Sequence, residues 1–138
     1  MMNILKTISE KLQSLFNYQG VINTQIRIYN RIKKYNPEMS ENERLNYLIN
    51  TRIRSLPRVA SREEEQSYYD EILDKPNKTL EEVLWVIVGY EFIQSRRVEL
   101  FEQGYKRGLS TEEIGRSVED LKRKIKKAIK ESISKNEK

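Results

Sequence analysis

The densest group of cations in this chain lies near its C-terminus, and cations at this density could neutralise phosphates. Six Lys and Arg side chains fall within nine positions: Lys122, Arg123, Lys124, Lys126, Lys127 and Lys130. They follow the polar side of a helical pattern whose apolar side begins at Ile114. Each contact with a phosphate releases a counterion, so binding through this face would weaken steeply with salt. The alternative interpretation is a solvated, lysine-rich helix that only keeps the protein soluble.

A second group of cations is rich in arginine, which suits bidentate contacts to phosphate better than lysine does. Its members lie on or beside two predicted helices: Arg27, Arg31, Lys33, Lys34, Arg44, Arg52, Arg54 and Arg58. The spacing of Arg27, Arg31 and Lys34 places these three side chains on one helical face. The sequence therefore predicts a second surface that could bind nucleic acid.

Three tyrosines lie among these arginines, at positions 29, 35 and 47. Aromatic side chains interleaved with cations can stack on exposed bases. The other interpretation, which the sequence favours, is that the tyrosines seal the rim of the hydrophobic core.

Few side chains in the chain could carry catalysis. It has no His and no Cys, so it lacks the commonest general base, a nucleophilic thiol and the usual zinc ligands. Glu91 stands in an apolar segment, but the sequence offers Arg96 or Arg97 as an ion-pair partner and no second catalytic group. Carboxylate pairs such as Glu112 and Glu113 stand at helix starts, where capping explains them. We expect a non-enzymatic protein that uses no metal and no cofactor.

The charges are segregated along the chain. Residues 1–58 hold ten Lys and Arg against four Asp and Glu, a net charge of +6. Residues 59–95 hold three against nine, a net of −6, and residues 96–138 hold thirteen against eight, a net of +5. Such patterning bears on partners rather than on fold, and it favours a polyanion or a protein of complementary charge.

The length and composition are those of a single domain with a core of its own. The longest apolar run, residues 83–88, is far shorter than the ~20 residues of a membrane span, and the N-terminus lacks an uncharged signal segment. We expect a cytoplasmic protein without membrane contact. Abundant charge without Cys or His is also typical of a thermophilic source.

Capping signals and breakers divide the chain into helices. Four sequences match the capping box, beginning at Ser40, Ser61, Thr79 and Ser110. With the Gly and Pro breakers they predict six helical segments, at about 3–18, 21–35, 41–56, 62–73, 80–103 and 111–134. The predicted fold is an all-α, single-domain bundle of five to six helices over residues 1–134, followed by a frayed tail over residues 135–138.

The fifth segment, about 80–103, is apolar on nearly every side, which is typical of a helix in the middle of a bundle. The β-branched run Val86-Ile87-Val88 could instead form a short buried strand. The capping box at Thr79 and the lack of a partner strand favour the helix.

The last segment has a local resemblance to DNA-binding proteins. Residues Gly108-Leu109-Ser110-Thr111-Glu112-Glu113-Ile114-Gly115 resemble the start of the second helix of helix-turn-helix proteins. Residues 115–125 resemble the opening of the recognition helix in Myb-like and sigma-factor-like domains. The two matches overlap at Gly115, whereas the family places about a helical turn and a loop between them. The unbroken apolar spacing at 114, 118, 121, 125 and 128 favours one continuous helix.

Three hypotheses for function remain open at this point. The first is a small regulatory or architectural protein that binds nucleic acid through its Lys and Arg faces. The second is an inhibitor or adaptor, of a kind encoded by mobile elements or viruses, that docks on the charged groove of a larger enzyme. The acidic block Glu63–Asp74, with Tyr68 and Tyr69, offers a surface for that role. The third is a self-assembling subunit, for instance a homodimer seated on spare apolar residues of the first helix such as Leu5.

Overall fold

The computed structural model describes Ile8, residues 10–53, Ile72 and residues 74–136. This part of the chain is built from helices and contains no strand, which confirms the all-α fold. The predicted acidic helix at 62–73 and its capping box at Ser61 lie outside the described residues, apart from Ile72, which is buried.

Helix α1, Tyr18–Tyr35, begins three residues before the expected start at position 21. Asn17 is the reason, since its side-chain oxygen accepts a hydrogen bond from the backbone N–H of Gly20 at 3.1 Å. Gly20 therefore lies in the first turn of α1 and is not a break. The preceding helical segment, residues 10–14, ends earlier than predicted, and Leu15 is 43% exposed instead of lying on the apolar face.

Capping boxes fix the starts of the later helices. Helix α2, Glu41–Ile53, begins after Ser40, whose hydroxyl accepts from the N–H of Glu43 at 3.2 Å. Thr79 and Ser110 make the same reciprocal contacts with the glutamates three residues on. Because all three boxes were readable from sequence, so were these three helix starts.

The central helix runs without a break from Leu80 to Lys106. It consists of α3, Leu80–Leu84, a π-helical stretch, Trp85–Phe92, and α4, Ile93–Lys106. All residues from 83 to 89 are buried and helical, so the strand alternative for Val86-Ile87-Val88 is wrong. Gly104 lies inside α4, whereas Gly108, with φ of 85°, closes the helix in a left-handed conformation.

Helix α5, Thr111–Asn136, is one continuous helix that passes through Gly115, as the apolar spacing predicted. Its buried face packs against α1 and against all three parts of the central helix. Fully buried leucines and isoleucines form the shared core: Leu12, Ile22, Leu45, Leu48, Ile49, Leu84, Leu100, Ile114, Leu121, Ile125 and Ile129. None of the helices in the described ranges is both long enough and apolar enough to cross a membrane.

Two helical glycines are expected to respond oppositely to alanine. A Cβ on Gly89 would lie 2.4 Å from ring carbons of the buried Trp85, whereas a Cβ on Gly115 meets no atom within 4 Å. Gly115→Ala should raise the free energy of unfolding by about 0.5–1 kcal/mol, because alanine loses less backbone entropy. Gly89→Ala should lower it by about 1–3 kcal/mol through overpacking. Urea denaturation of both variants checks this, and stabilisation by both would contradict the packing described.

Candidate nucleic-acid interface

The outer face of α1 carries a stripe of cations that is open to solvent. Arg27, Arg31 and Lys34 are exposed and lie opposite the buried side of the helix, which includes Ile22 and Ile26. None of the three forms an ion pair with another described residue. The Lys34 ammonium lies 5.7 Å from the ring centroid of its exposed neighbour Tyr35. The predicted arginine stripe is thus brought together on one face and left accessible.

Four of the six candidate cations of α5, by contrast, have acidic partners. Lys122 pairs with Glu119 at 3.5 Å. Asp120 accepts both Arg123, at 3.5 Å, and Lys124, at 3.4 Å. A carboxylate on the same helical face neutralises part of each of these charges before any ligand arrives.

The remaining cations of α5 differ in their surroundings. Lys130 reaches across to Glu81, 3.8 Å away on the central helix. Lys126 places its ammonium 4.9 Å from the ring centroid of Trp85, within cation–π range. Lys127 is exposed and forms no ion pair within the described part of the chain. Of the six candidates on α5, Lys127 therefore most resembles the free cations of α1.

Lys124 belongs to a polar cluster that fastens the N-terminal segment to α5. Its ammonium donates to Gln13 Oε1 at 2.6 Å, and Gln13 Nε2 donates to Asp120 Oδ2 at 3.0 Å and to the carbonyl of Ser117 at 3.2 Å. Gln13 is buried. The hydrogen bond from Gln13, together with Lys124 and Arg123, lowers the pKa of Asp120 below its ordinary value. Lys124 thus has a structural role that the sequence did not indicate.

This cluster gives a pH-dependent prediction. A carboxyl whose pKa is lowered in the folded state stabilises the protein at pH values above its unfolded pKa, which is 3.8 for Asp120. This stabilisation is lost as the pH falls through the folded pKa. Asp120→Asn should therefore destabilise the protein at neutral pH, by less than about 1 kcal/mol because the side chain is exposed. The difference from wild type should shrink below pH ~4. Urea denaturation at neutral pH and below pH ~4 measures the difference in unfolding free energy between the variant and wild type. A difference that does not change with pH would contradict the lowered pKa of Asp120.

Arg44, the arginine of α2 whose side chain the structure describes, does not join the exposed stripe of α1. Arg44 donates from Nη1 to the carbonyl of Met39, so it holds the turn between α1 and α2. The side chain of Arg52, and all of Arg54 and Arg58, lie outside the described residues. These latter positions stay sequence predictions.

The tyrosines of this region divide into two kinds. Tyr29 is buried in the core, as the sequence favoured, whereas Tyr35 and Tyr47 are exposed. Only the exposed pair could stack on a base. The side chain of Glu91 is not among those described, and Arg96, one of its expected partners, lies 3.4 Å from Glu99.

A cavity of about 600 Å³ adjoins the first turns of α1 and brings Arg27 together with Arg96 of α4. Leu15, Val21 and Thr24 also line it. The sequence predicted Arg96 only as an ion-pair partner for Glu91. The position of Arg96 beside Arg27 depends on where α4 emerges from the core, and no local sequence pattern indicates that.

Comparison of the chain with protein-family models, with curated proteins and with solved structures found no match. Within the described ranges, no group of acidic side chains is arranged to hold a metal ion.

Proposed function

We propose that this protein binds nucleic acid through the outer face of α1 and acts without catalysis, as a regulatory or architectural protein. The observation that carries the proposal is the set of three exposed cations, Arg27, Arg31 and Lys34, without ion pairs to described residues. A cation without a carboxylate partner binds phosphate by releasing water and counterions alone. An ion-paired cation must first give up its carboxylate partner to meet a phosphate, so it contributes less to the binding free energy.

The dimensions of this face fit a phosphate backbone. Lys34 follows Arg27 by seven positions, which corresponds to about 10 Å along the helix axis. Successive phosphates of one DNA strand rise by about 3.4 Å along the duplex axis, so the stripe is about as long as three phosphate steps. Arginine at two of the three positions favours bidentate contacts to the phosphate oxygens. Contacts of this kind position a protein on nucleic acid without reading base sequence.

Two neighbouring features support the same surface. The cavity shared by Arg27 and Arg96 places a second arginine near the stripe, and Arg96 is partly neutralised by Glu99. Tyr35 stands exposed at the end of the stripe, beside Lys34, where it could stack on an unpaired base. The cations of α5 take a secondary part in the proposal, with Lys127 the first of them to contribute.

Fluorescence anisotropy with a short labelled duplex and the matching single strand tests the proposal. We expect binding at low salt that persists in the micromolar range, about −8 kcal/mol, near physiological salt. Affinity should depend little on base sequence, because neither phosphate contacts nor stacking on Tyr35 distinguishes one base from another. Absence of binding to both probes at low salt would contradict the proposal and direct the search to a protein partner.

A further inference from the structure

A second cavity lies on a different side of α1, away from the stripe of Arg27, Arg31 and Lys34. Its volume is about 740 Å³, which is within the usual range for small-ligand sites. Three lysines line it, each from a different part of the fold: Lys33 in the last turn of α1, Lys78 just before α3, and Lys130 in α5. Ile26, Leu80 and Ile133 supply apolar surface between them. The cavity thus combines cationic groups with a place for an organic body.

Lys78 is the unusual member of this group because it is buried, with 9% of its surface exposed. Its ammonium donates to Asn46 Oδ1 at 2.7 Å and to the carbonyl of Lys75 at 2.8 Å. Its backbone N–H donates to Asn42 Oδ1 at 3.2 Å. Both partners of the charged group are neutral, and no described carboxylate pairs with it. Burial of a charge without a counter-ion is unfavourable, and an anion in the cavity would offset that cost.

The other charges of the cavity define where an anion fits. Lys130 is partly neutralised by Glu81 at 3.8 Å, whereas Lys33 forms no ion pair with a described residue. Glu41, at the start of α2, also lines the cavity and would repel an anion placed beside it. Lys33 and Lys78 are therefore the two cations of the cavity without a carboxylate partner among the described residues. The carboxylates of Glu41 and Glu81 can accept hydrogen bonds from hydroxyl or amino groups of the same ligand.

We propose that this cavity binds a small organic phosphate. In this arrangement the phosphate lies toward Lys33 and Lys78, and the organic part lies against Ile26, Leu80 and Ile133. Asn46 and the carbonyl of Lys75 hold the Lys78 ammonium in place before binding, which lowers the entropic cost of association. A free metabolite or the terminal phosphate of a nucleic-acid strand would supply the same chemistry.

Isothermal titration calorimetry in a phosphate-free buffer tests the site, with adenosine 5′-monophosphate and adenosine as matched probes. The monophosphate should bind with a Kd of about 1 mM or tighter, and adenosine at least about tenfold more weakly. Lys33→Gln should weaken monophosphate binding about tenfold, since it removes a charged hydrogen-bond donor. Lys127→Gln, the same change at an exposed lysine outside the cavity, should leave it within about twofold.

Three results would overturn the proposal: no binding of the monophosphate, equal affinity for both probes, or no effect of Lys33→Gln. Because Lys33 is exposed, its replacement should leave the fold intact, and circular dichroism checks this. Lys78→Met is a second test of the site. After circular dichroism has verified its fold, this variant should lose at least as much monophosphate affinity as Lys33→Gln.

A strand with a 5′-phosphate, compared with its 5′-hydroxyl equivalent, separates the two sources of the group. Tighter binding of the phosphorylated strand assigns the cavity to strand ends, and equal binding assigns it to free organic phosphates. Replacing Arg27, Arg31 and Lys34 should not change monophosphate affinity, because they lie on another side of α1. A failure of the phosphate-site proposal can thus be distinguished from a failure of nucleic-acid binding through α1.

Discussion

Reversing the three free cations of α1, as Arg27→Glu, Arg31→Glu and Lys34→Glu together, should lower duplex affinity about 100-fold or more. Each of these side chains is exposed and has no ion pair with a described residue, so each can donate charged hydrogen bonds to a phosphate. Reversal removes those bonds and adds repulsion from the phosphates. Anisotropy at one fixed salt concentration measures the change.

A control variant with the same net charge separates this surface from general electrostatics. Lys106→Glu, Arg107→Glu and Arg116→Glu together also change the net charge from +5 to −1. These three residues are exposed and lie around the turn from α4 to α5, on other helices than the stripe. The control should lose far less affinity, and equal losses would show that α1 is not the interface.

Leu121→Ala should lower the free energy of unfolding by about 2–5 kcal/mol, the largest stability effect we expect from one substitution. Leu121 is fully buried in the middle of α5, the helix that packs against α1 and every part of the central helix. The substitution removes buried methyl groups and leaves a cavity where these helices meet. Urea denaturation followed by circular dichroism gives the difference directly.

Val98→Ala is the matched control for Leu121→Ala. Val98 is 74% exposed on α4, so its truncation removes little buried surface and should change stability by less than about 0.5 kcal/mol. A loss at Leu121 as small as the one at Val98 would contradict the packing of α5 in the core.

Local signals in the sequence were sufficient for most of the fold. The capping boxes at Ser40, Thr79 and Ser110 located three helix starts, because the contacts that define them span only three residues. The apolar period of α5 distinguished one continuous helix from a helix-turn-helix for the same reason. At Gly20 the prediction failed, since a glycine in the first turn after an Asn cap looks like a break when its surroundings are unknown.

The ranking of the basic surfaces could not be predicted, because it depends on contacts between distant residues. Sequence density favoured the lysines of α5, yet Lys130 meets Glu81 and Lys124 meets Gln13 only after the chain folds. The stripe on α1 was visible as a spacing, but its lack of ion pairs to described residues was not. Lys78 gave no signal at all, since its burial depends on Asn42 and Asn46 from another helix. No local pattern found in the sequence indicates the π-helical geometry at Trp85–Phe92.

The most direct measurement is the salt dependence of duplex affinity for wild type and for a neutral variant, Arg27→Gln, Arg31→Gln and Lys34→Gln together. Each phosphate neutralised contributes about 0.9 to the slope of log affinity against log salt. If these three side chains each meet one phosphate, the slope of the variant should be shallower than that of wild type by about 2.7. An unchanged slope would contradict the account, because it would place every phosphate contact elsewhere on the protein.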